Sequence, residues 1–235
     1  MQLLRVEYLK WDSSFFNKKI GRILFLNCTV SGLEDTLKLA KDEKYDLIYV
    51  FENVDDGAIL LENYKTHLID TKIILAKQVE PQLETNCFIQ DFTGSKSNEM
   101  IDNLAISSGE YSRFNLDNGF SSADFHNLYK TWIRNSLNGD IADKVYINAD
   151  EKITGLISIK ITKGIGVIGL VSVSELAQGQ GIGKCLVNAC NNFLFSNNIK
   201  KMEVATQAAN LRAIGFYKKS GFKIQTRTNI YHFWL

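Results

Sequence analysis

The segment Gln178 to Lys184 has the residue types that bind phosphate groups. It reads Gln-Gly-Gln-Gly-Ile-Gly-Lys, so glycine occupies three alternate positions. Glycines lack a Cβ atom and let successive backbone N–H groups point into one hollow, and a following helix adds the positive end of its dipole. A G-x-G-x-x-G motif would need glycine at Lys184, and a P-loop would need Ser or Thr at Cys185, so the spacing excludes both. The pattern that fits is Q-x-x-G-x-G.

A second pattern, N-x-x-A-x-x-x-Y-x-x-x-G-F, begins at Asn210. Asparagine is a good N-cap for a helix, and its amide can also reach a ligand. Ala213 and Tyr217 are four residues apart and therefore share one helix face. Gly221 is a suitable stop before the next element. The spacing predicts a helix that presents the Tyr217 phenol along a groove.

Together these two patterns resemble those of the GCN5-related N-acetyltransferase (GNAT) superfamily. Further similarity points to one branch, the TDP-fucosamine acetyltransferases, which acetylate the 4-amine of a TDP-4-amino-4,6-dideoxyhexose for bacterial surface polysaccharides. The similarity is specific from about residue 100 onward and loose before it. The segments that carry it are Trp11, Phe15 and Phe16, residues 112–114, 129–133 and 204–207, and the aromatic end of the chain.

The resemblance implies direct transfer from acetyl-CoA in a ternary complex, without an acyl-enzyme. No metal is expected. The resemblance also implies that the glycine segment holds the pyrophosphate and that a strand backbone runs along the pantetheine arm. Tyr217 is then the general acid, because a phenol with a pKa near 10 can protonate a thiolate whose thiol has a pKa near 8.5. The predicted acetyl-CoA site comprises Leu170, Val171, Ser172, Val173, Gln178, Gly179, Gln180, Gly181, Ile182, Gly183, Lys184, Asn210 and Tyr217.

On the acceptor side, Asp70 is the candidate general base. It lies between apolar residues in a strand pattern, where related enzymes place an acidic residue. Arg113 and Tyr231 are the candidates for binding the sugar nucleotide, since arginine suits a diphosphate by its bidentate geometry. A merely solvated Asp70 and a surface ion pair of Arg113 stay open at this point.

The elements that must position these residues predict an α/β chain of two units. Polar residues around Pro81 separate a small N-terminal α/β unit, residues 1–80, from a GNAT domain, residues 86–235. In the first unit we predict buried strands at 47–51 and 68–76 and short helices at 33–43 and 58–64. The aromatic segment 11–16 is predicted to be irregular.

The second unit reads as helices, then three strands with short links, then alternating strands and helices. This order predicts a mixed, mostly antiparallel sheet flanked by helices. The predicted helices are 98–109, 122–137, one from 182 and 210–220; the predicted strands are 144–148, 153–162, 164–175, 201–206 and a pair from Gly221 onward.

Composition limits the remaining possibilities. The chain has 235 residues and a formal net charge of +1, with 45% hydrophobic and 23% charged residues, values typical of a globular protein. The near-neutral charge argues against a nucleic-acid partner, and no segment has the pattern of a signal peptide or a membrane span. We therefore expect a soluble cytoplasmic protein.

The four cysteines, Cys28, Cys87, Cys185 and Cys190, are scattered and do not cluster with histidine. This spacing favours packing residues over a zinc site or a disulfide framework.

Several alternatives stay open. The acceptor could instead be a peptide amine, a polyamine or an aminoglycoside, although only Glu110 and Asp117 are acidic between residues 109 and 120. A non-catalytic module that binds CoA is the alternative from another class. The sequence does not distinguish the 4-epimers of the sugar or its nucleotide, TDP or UDP. The resemblance suggests a homodimer.

Overall fold

The computed structural model of the chain describes residues 4–25, 29–54, 67–81 and 87–235. Its strands are β1 (Glu7–Tyr8), β2 (Ile20–Phe25), β3 (Leu47–Asn53), β4 (Leu68–Gln78), β5 (Ile89–Asp91), β6 (Lys144–Ala149), β7 (Ile153–Thr162), β8 (Ile165–Val173), β9 (Lys201–Gln207) and β10 (Lys223–Trp234). Its α-helices are α1 (Lys10–Phe16), α2 (Val30–Asp42), α3 (Glu99–Ser108), α4 (Arg113–Leu116), α5 (Ser122–Leu137), α6 (Ile182–Ser196) and α7 (Leu211–Lys219). None of these described helices combines the length and apolar character needed to cross a membrane.

The strands form one mixed sheet in the order β1-β2-β3-β10-β4-β9-β8-β7-β6-β5. Only the β2–β3 and β8–β9 pairs of the described sheet are parallel. The predicted class, an α/β chain with a mixed and mostly antiparallel sheet, is confirmed, as is the antiparallel meander β6–β7–β8. Because β10 pairs with both β3 and β4, the strands of the two predicted units share this sheet. The division near Pro81 stays a prediction.

Side-chain caps define where the helices start. The Ser121 hydroxyl accepts from the Asp124 amide and the Asp124 carboxylate accepts from the Ser121 amide, a capping box that stabilises the start of α5. Asn98 caps α3 in a similar way, since its Oδ1 accepts from the Ile101 amide at 3.0 Å. The predicted bounds of α5, 122–137, are confirmed.

Helices cover both faces of the sheet. On one face, α1, α3, α4 and α5 bury a large aromatic and aliphatic cluster that includes Leu128 and Leu156. On the other face, α6 and α7 bury a second cluster that includes Leu186 and Ile157. Consecutive residues Leu156 and Ile157 belong to opposite clusters, as the alternation of a strand requires. A third cluster packs beneath α2.

Two local predictions are wrong. The segment 11–16 was expected to be irregular, but Lys10–Phe16 is a helix in which the Trp11 and Phe15 rings stack with centroids 5.0 Å apart. Packing on the core therefore outweighs the weak helix propensity of aromatic residues. The expected pair of C-terminal strands is one strand, β10, whose register shifts at Ile224/Thr226 and at Ile230/Tyr231. The predicted helix at 58–64 lies outside the described residues.

The prediction that all cysteines are packing residues is also wrong. Cys87 and Cys185 form a disulfide across a sequence separation of 98 residues. The pairing of β5 with β6 brings Cys87, which stands just before β5, to the first turn of α6. Such proximity depends on the fold, so the spacing of cysteines along the chain did not indicate it. Cys190 is free and buried, and Cys28 lies outside the described residues.

Candidate active site

The glycine segment forms an open cradle at the start of α6. Gly179 and Gly181 have φ angles of +81° and +82°, and Gly181 is the N-cap of the helix. This left-handed backbone is where glycine is required. Within the described residues, the amides of residues 179–183 make no backbone hydrogen bond, although the next amide, that of Lys184, bonds to the Gly181 carbonyl at 3.0 Å. Free amides at a helix N-terminus form a site for phosphate oxygens.

The cradle is attached to the end of β8. The Gln178 side chain donates from Nε2 to the Val173 carbonyl at 3.0 Å. A Cβ atom at Gly183 would lie 3.2 Å from the Phe216 ring, so α6 and α7 approach closely there. The first glutamine and the last glycine of the motif therefore fix the cradle against its neighbours.

A gap opens between β8 and β9 next to the cradle. The two strands pair only where Gly166–Ile168 faces Met202–Val204. Beyond Ile168, the β8 residues pair with β7 and the β9 residues pair with β4. The predicted segment 170–173 borders this gap, so its backbone is open on the β9 side to an extended ligand.

A cavity of about 420 Å³ extends from the gap. It brings together six predicted site residues from four separate parts of the chain. These are Asp70, Arg113, Asn210 and Tyr217, together with Leu170 and Val171 of β8. Predicted donor-side and acceptor-side residues thus share this cavity.

Tyr217 is almost fully buried, with 2% of its surface exposed, and it lines the cavity. Its ring packs against Phe222 with the centroids 5.4 Å apart. Burial raises the pKa of the phenol, so it keeps its proton at neutral pH. Asn210 caps α7 by accepting from the Ala213 amide at 3.0 Å, and Ala213 lines the same cavity, as predicted for one helix face.

Asp70 on β4 is buried, with 9% of its surface exposed. Burial raises the pKa of its carboxyl to about 6, although Arg113, Lys72 and the Thr71 backbone act in the opposite direction. A carboxylate with this pKa is ionised at neutral pH and remains basic enough to accept a proton.

Arg113 is the first residue of α4, where Ser112 caps the helix through the Phe114 amide at 3.1 Å. Its guanidinium carbon lies 4.4 Å from the centroid of the Tyr49 ring and 4.6 Å from that of Phe114. Its Nε atom is buried and has no hydrogen-bond partner in the described part of the chain. Stacking on two rings holds the guanidinium at the cavity wall.

Tyr231 does not line this cavity. Its hydroxyl donates to Glu52 at 2.7 Å and its ring packs in the cluster beneath α2. The alternation of β10 turns Tyr231 away from the face that Ile230 presents to the cavity. Lys72 also lines the cavity, although it is not among the predicted site residues. The usable signal was its position two residues after Asp70, on the same face of one strand.

The Asp117 carboxylate is held by hydrogen bonds within the protein core. It lies 2.5 Å from the Nδ1 atom of His232 and accepts from the Trp234 indole at 3.0 Å. Burial would raise its pKa, but the hydrogen bonds from His232 and from the Gly119 amide lower it. These contacts occupy the carboxylate within the core between α4 and β10.

Comparison with known proteins agrees with this geometry. Residues 110–222 match the sequence profile of the acetyltransferase (GNAT) family. The spore coat polysaccharide biosynthesis protein SpsD of Bacillus subtilis (strain 168) is 21% identical over 233 residues, which cover 95% of this chain and 81% of that protein.

Solved structures share the fold. A GCN5-related N-acetyltransferase from Sphaerobacter thermophilus is 14% identical, with a TM-score of 0.59 and coverage of 97% of this chain and 75% of that one. A conserved protein of unknown function from Staphylococcus epidermidis is also 14% identical, with a TM-score of 0.66 and coverage of 100% and 92%. The chain has the GNAT fold, and the match of residues 110–222 to the acetyltransferase (GNAT) family, together with the glycine cradle, supports an acyl-CoA-dependent N-acetyltransferase.

Proposed function

We propose that this enzyme transfers the acetyl group of acetyl-CoA to the 4-amine of a TDP-linked 4-amino-4,6-dideoxyhexose, as a cytoplasmic step in the synthesis of a surface polysaccharide. The observation that carries the proposal is the shared cavity. Its wall includes the residues of β8 and β9 that border the gap, and also Asp70, Lys72 and Arg113. A thioester reaching along the gap and an amine held near Asp70 would meet inside it.

The donor side suits CoA. The unbonded amides of residues 179–183, at the positive end of α6, match the charge and oxygen atoms of a diphosphate. The unpaired edge of β8 offers backbone groups to the amides of the pantetheine arm. When bound, acetyl-CoA supplies the activated acyl group, and this chain binds and orients it.

Two side chains provide the proton transfers that the reaction needs. The acceptor amine is an ammonium ion in neutral water, and Asp70 accepts one proton from it, so that the nitrogen lone pair is free to attack the thioester carbonyl. The new C–N bond forms as the C–S bond breaks. Tyr217 donates its proton to the departing thiolate, which leaves as free CoA thiol. The second proton that the amine nitrogen loses on becoming an amide passes through water to the phenolate, so the net proton released is the one taken by Asp70.

Two observations support a sugar nucleotide as the acceptor: the similarity to SpsD and the positive charge of the cavity wall. The similar SpsD protein takes part in spore coat polysaccharide biosynthesis. Two cationic side chains, Lys72 and Arg113, line the cavity and disfavour a polycation such as a polyamine or an aminoglycoside. Asp117 is bonded to His232 and Trp234 and does not add a free carboxylate for such a ligand.

A panel assay tests the proposal. Free CoA thiol is followed with acetyl-CoA and each of TDP-4-amino-4,6-dideoxygalactose, its UDP analogue, the 4-epimers, spermidine and a short peptide. We expect the TDP-linked sugars to have the highest kcat/KM, by at least about tenfold over spermidine and the peptide. Preference for the polyamine or the peptide would overturn the acceptor, and no thiol release with any amine would overturn the enzyme's proposed reaction.

A further inference from the structure

Two cations that line the cavity lie near one aromatic ring, that of Phe51. The Lys72 ammonium lies 6.0 Å from the centroid of the Phe51 ring, and the Arg113 guanidinium carbon lies 5.6 Å from the same centroid. The three residues come from β4, β3 and α4, so the whole fold is needed to assemble them. We call this pair of cations over Phe51 the cationic clamp.

Neither cation of the clamp forms a close ion pair in the described part of the chain. No carboxylate there lies within the 4.0 Å ion-pair distance of Lys72 or Arg113. At longer range Asp70 acts on both Lys72 and Arg113, and Asp12 acts on Arg113. Burial lowers the pKa of Lys72 and repulsion from Arg113 lowers it further, although Asp70 acts in the opposite direction. Lys72 and Arg113 repel one another, and an anion bound by both would offset that repulsion.

The clamp is also short of hydrogen-bond acceptors. The Nε atom of Arg113 is buried without a hydrogen-bond partner in the described part of the chain, while the guanidinium lies over the Tyr49 ring and interacts with its hydroxyl. Buried polar atoms in proteins are nearly always satisfied, by the chain, by water or by a ligand. Both cations line the cavity, so an anionic ligand can reach them from the acceptor side.

We propose that the cationic clamp binds the diphosphate of the acceptor, separately from the cradle that binds the diphosphate of CoA; this rests on the proposed function. A guanidinium presents a planar fork to phosphate oxygens, and an ammonium adds a point charge. Together the two cations match the two charges of a diphosphate. Lys72 and Asp70 are two residues apart on β4, about 6.5 Å along the strand, so one ligand can place its amine at Asp70 and its anion at Lys72.

Calorimetric binding of TDP to the enzyme saturated with CoA tests this proposal, because saturation removes the cradle as a binding site. We expect one TDP site in the wild type. Lys72→Met keeps the aliphatic stem against Phe51 and should weaken TDP binding about 10- to 100-fold, the usual effect of losing a charged contact. Lys152→Met, on the exposed turn between β6 and β7, should leave TDP binding unchanged.

A second variant and a ligand without phosphates test whether the binding depends on the diphosphate. Arg113→Lys keeps the charge but loses the fork, and should weaken TDP binding about tenfold. Thymidine without phosphates should bind equally to the wild type and to Lys72→Met, and CoA affinity and the melting curve show that each variant is folded. Absence of TDP binding to the CoA-saturated wild type, or equal TDP affinity in the wild type and both clamp variants, overturns the clamp.

The clamp and the proposed reaction fail in different ways. Transfer to TDP-linked sugars together with unchanged TDP affinity in Lys72→Met would refute the clamp and leave the reaction standing. Tight TDP binding that depends on Lys72, without transfer to any TDP-linked amino sugar, would support the clamp and refute the proposed acceptor.

Discussion

Replacing Asp70 by asparagine should make the enzyme more stable and far less active. The pKa of about 6, compared with an ordinary value of 3.8, corresponds to about 3 kcal/mol at ~1.4 kcal/mol per pKa unit. This is the cost of holding the ionised carboxylate in the fold. Solvent in the cavity screens part of it, so we expect asparagine to raise the free energy of unfolding by about 1–2 kcal/mol at pH 8.

The sign of the effect depends on pH. Below pH 3.8 the carboxyl is protonated in the folded and the unfolded chain, and Asp70 then contributes no penalty. The folded state holds its proton more tightly, so the penalty develops as the pH rises from about 4 to about 6 and is complete above that. Urea unfolding should therefore show equal stability of wild type and Asp70→Asn near pH 3.5 and a clear gain for the variant at pH 8.

Activity should change in the opposite direction. Loss of a positioned base lowers turnover by about 10²–10⁴-fold, and the fall of kcat/KM below about pH 6 should disappear. Thiol release measured from pH 5 to 9 gives both quantities. The control is Asp91→Asn on β5, whose carboxylate pairs with Lys144 at 2.5 Å on the surface. It should keep full activity and lose at most about 1 kcal/mol.

An Asp70→Asn enzyme that is less stable than the wild type at pH 8 would contradict the argument that burial sets the pKa of Asp70. An unchanged pH profile of kcat/KM would remove Asp70 from the proton transfer, whatever the stability shows.

Three further changes have definite expected outcomes. Tyr217→Phe should lower turnover by about 10²–10⁴-fold while CoA binding stays intact; near-normal turnover would remove the phenol from the reaction. Gly181→Ala forces a side chain into φ +82° and should weaken CoA binding, whereas Gly164→Ala, at φ +76° in the distant β7–β8 turn, should cost similar stability of about 1–2 kcal/mol without affecting CoA; equal loss of CoA affinity in both would refute the cradle. Cys87→Ser opens a loop of 98 residues and should lower stability by about 2–5 kcal/mol; dithiothreitol should destabilise the wild type to a similar extent and leave the variant unchanged.

The sequence predicted the donor side of the site better than the acceptor side, for a physical reason. The cradle and the N-terminus of α7 are local structures, in which residues from 178 to 184 and from 210 to 217 act through spacing along one chain segment. Local spacing is visible in a sequence. The left-handed glycines and the Asn210 cap follow directly from those residue types.

The acceptor side is assembled from distant segments, and there the sequence was less informative. The cationic clamp needs β3, β4 and α4 to meet, and the disulfide needs residue 87 to meet α6, which no local pattern encodes. Tyr231 illustrates the same limit, since its residue type suits a sugar site but the pairing of β10 decides which face it occupies. The bulge next to Ile230 was likewise invisible in the sequence.

Strand β4 links the two halves of the site. Its odd-numbered residues Ile73 and Leu75 pack in the same cluster as Tyr217, while Asp70 and Lys72 alternate with them and line the cavity. The β4–β9 register runs from Lys72 to Gln78 without a shift. A slip of one residue would turn every β4 side chain to the opposite face of the sheet. The packing of the apolar β4 face against α6 and α7 therefore also keeps Asp70 and Lys72 on the face that lines the cavity. The apolar packing next to Tyr217 on the donor side therefore determines where Asp70 and Lys72 lie on the acceptor side.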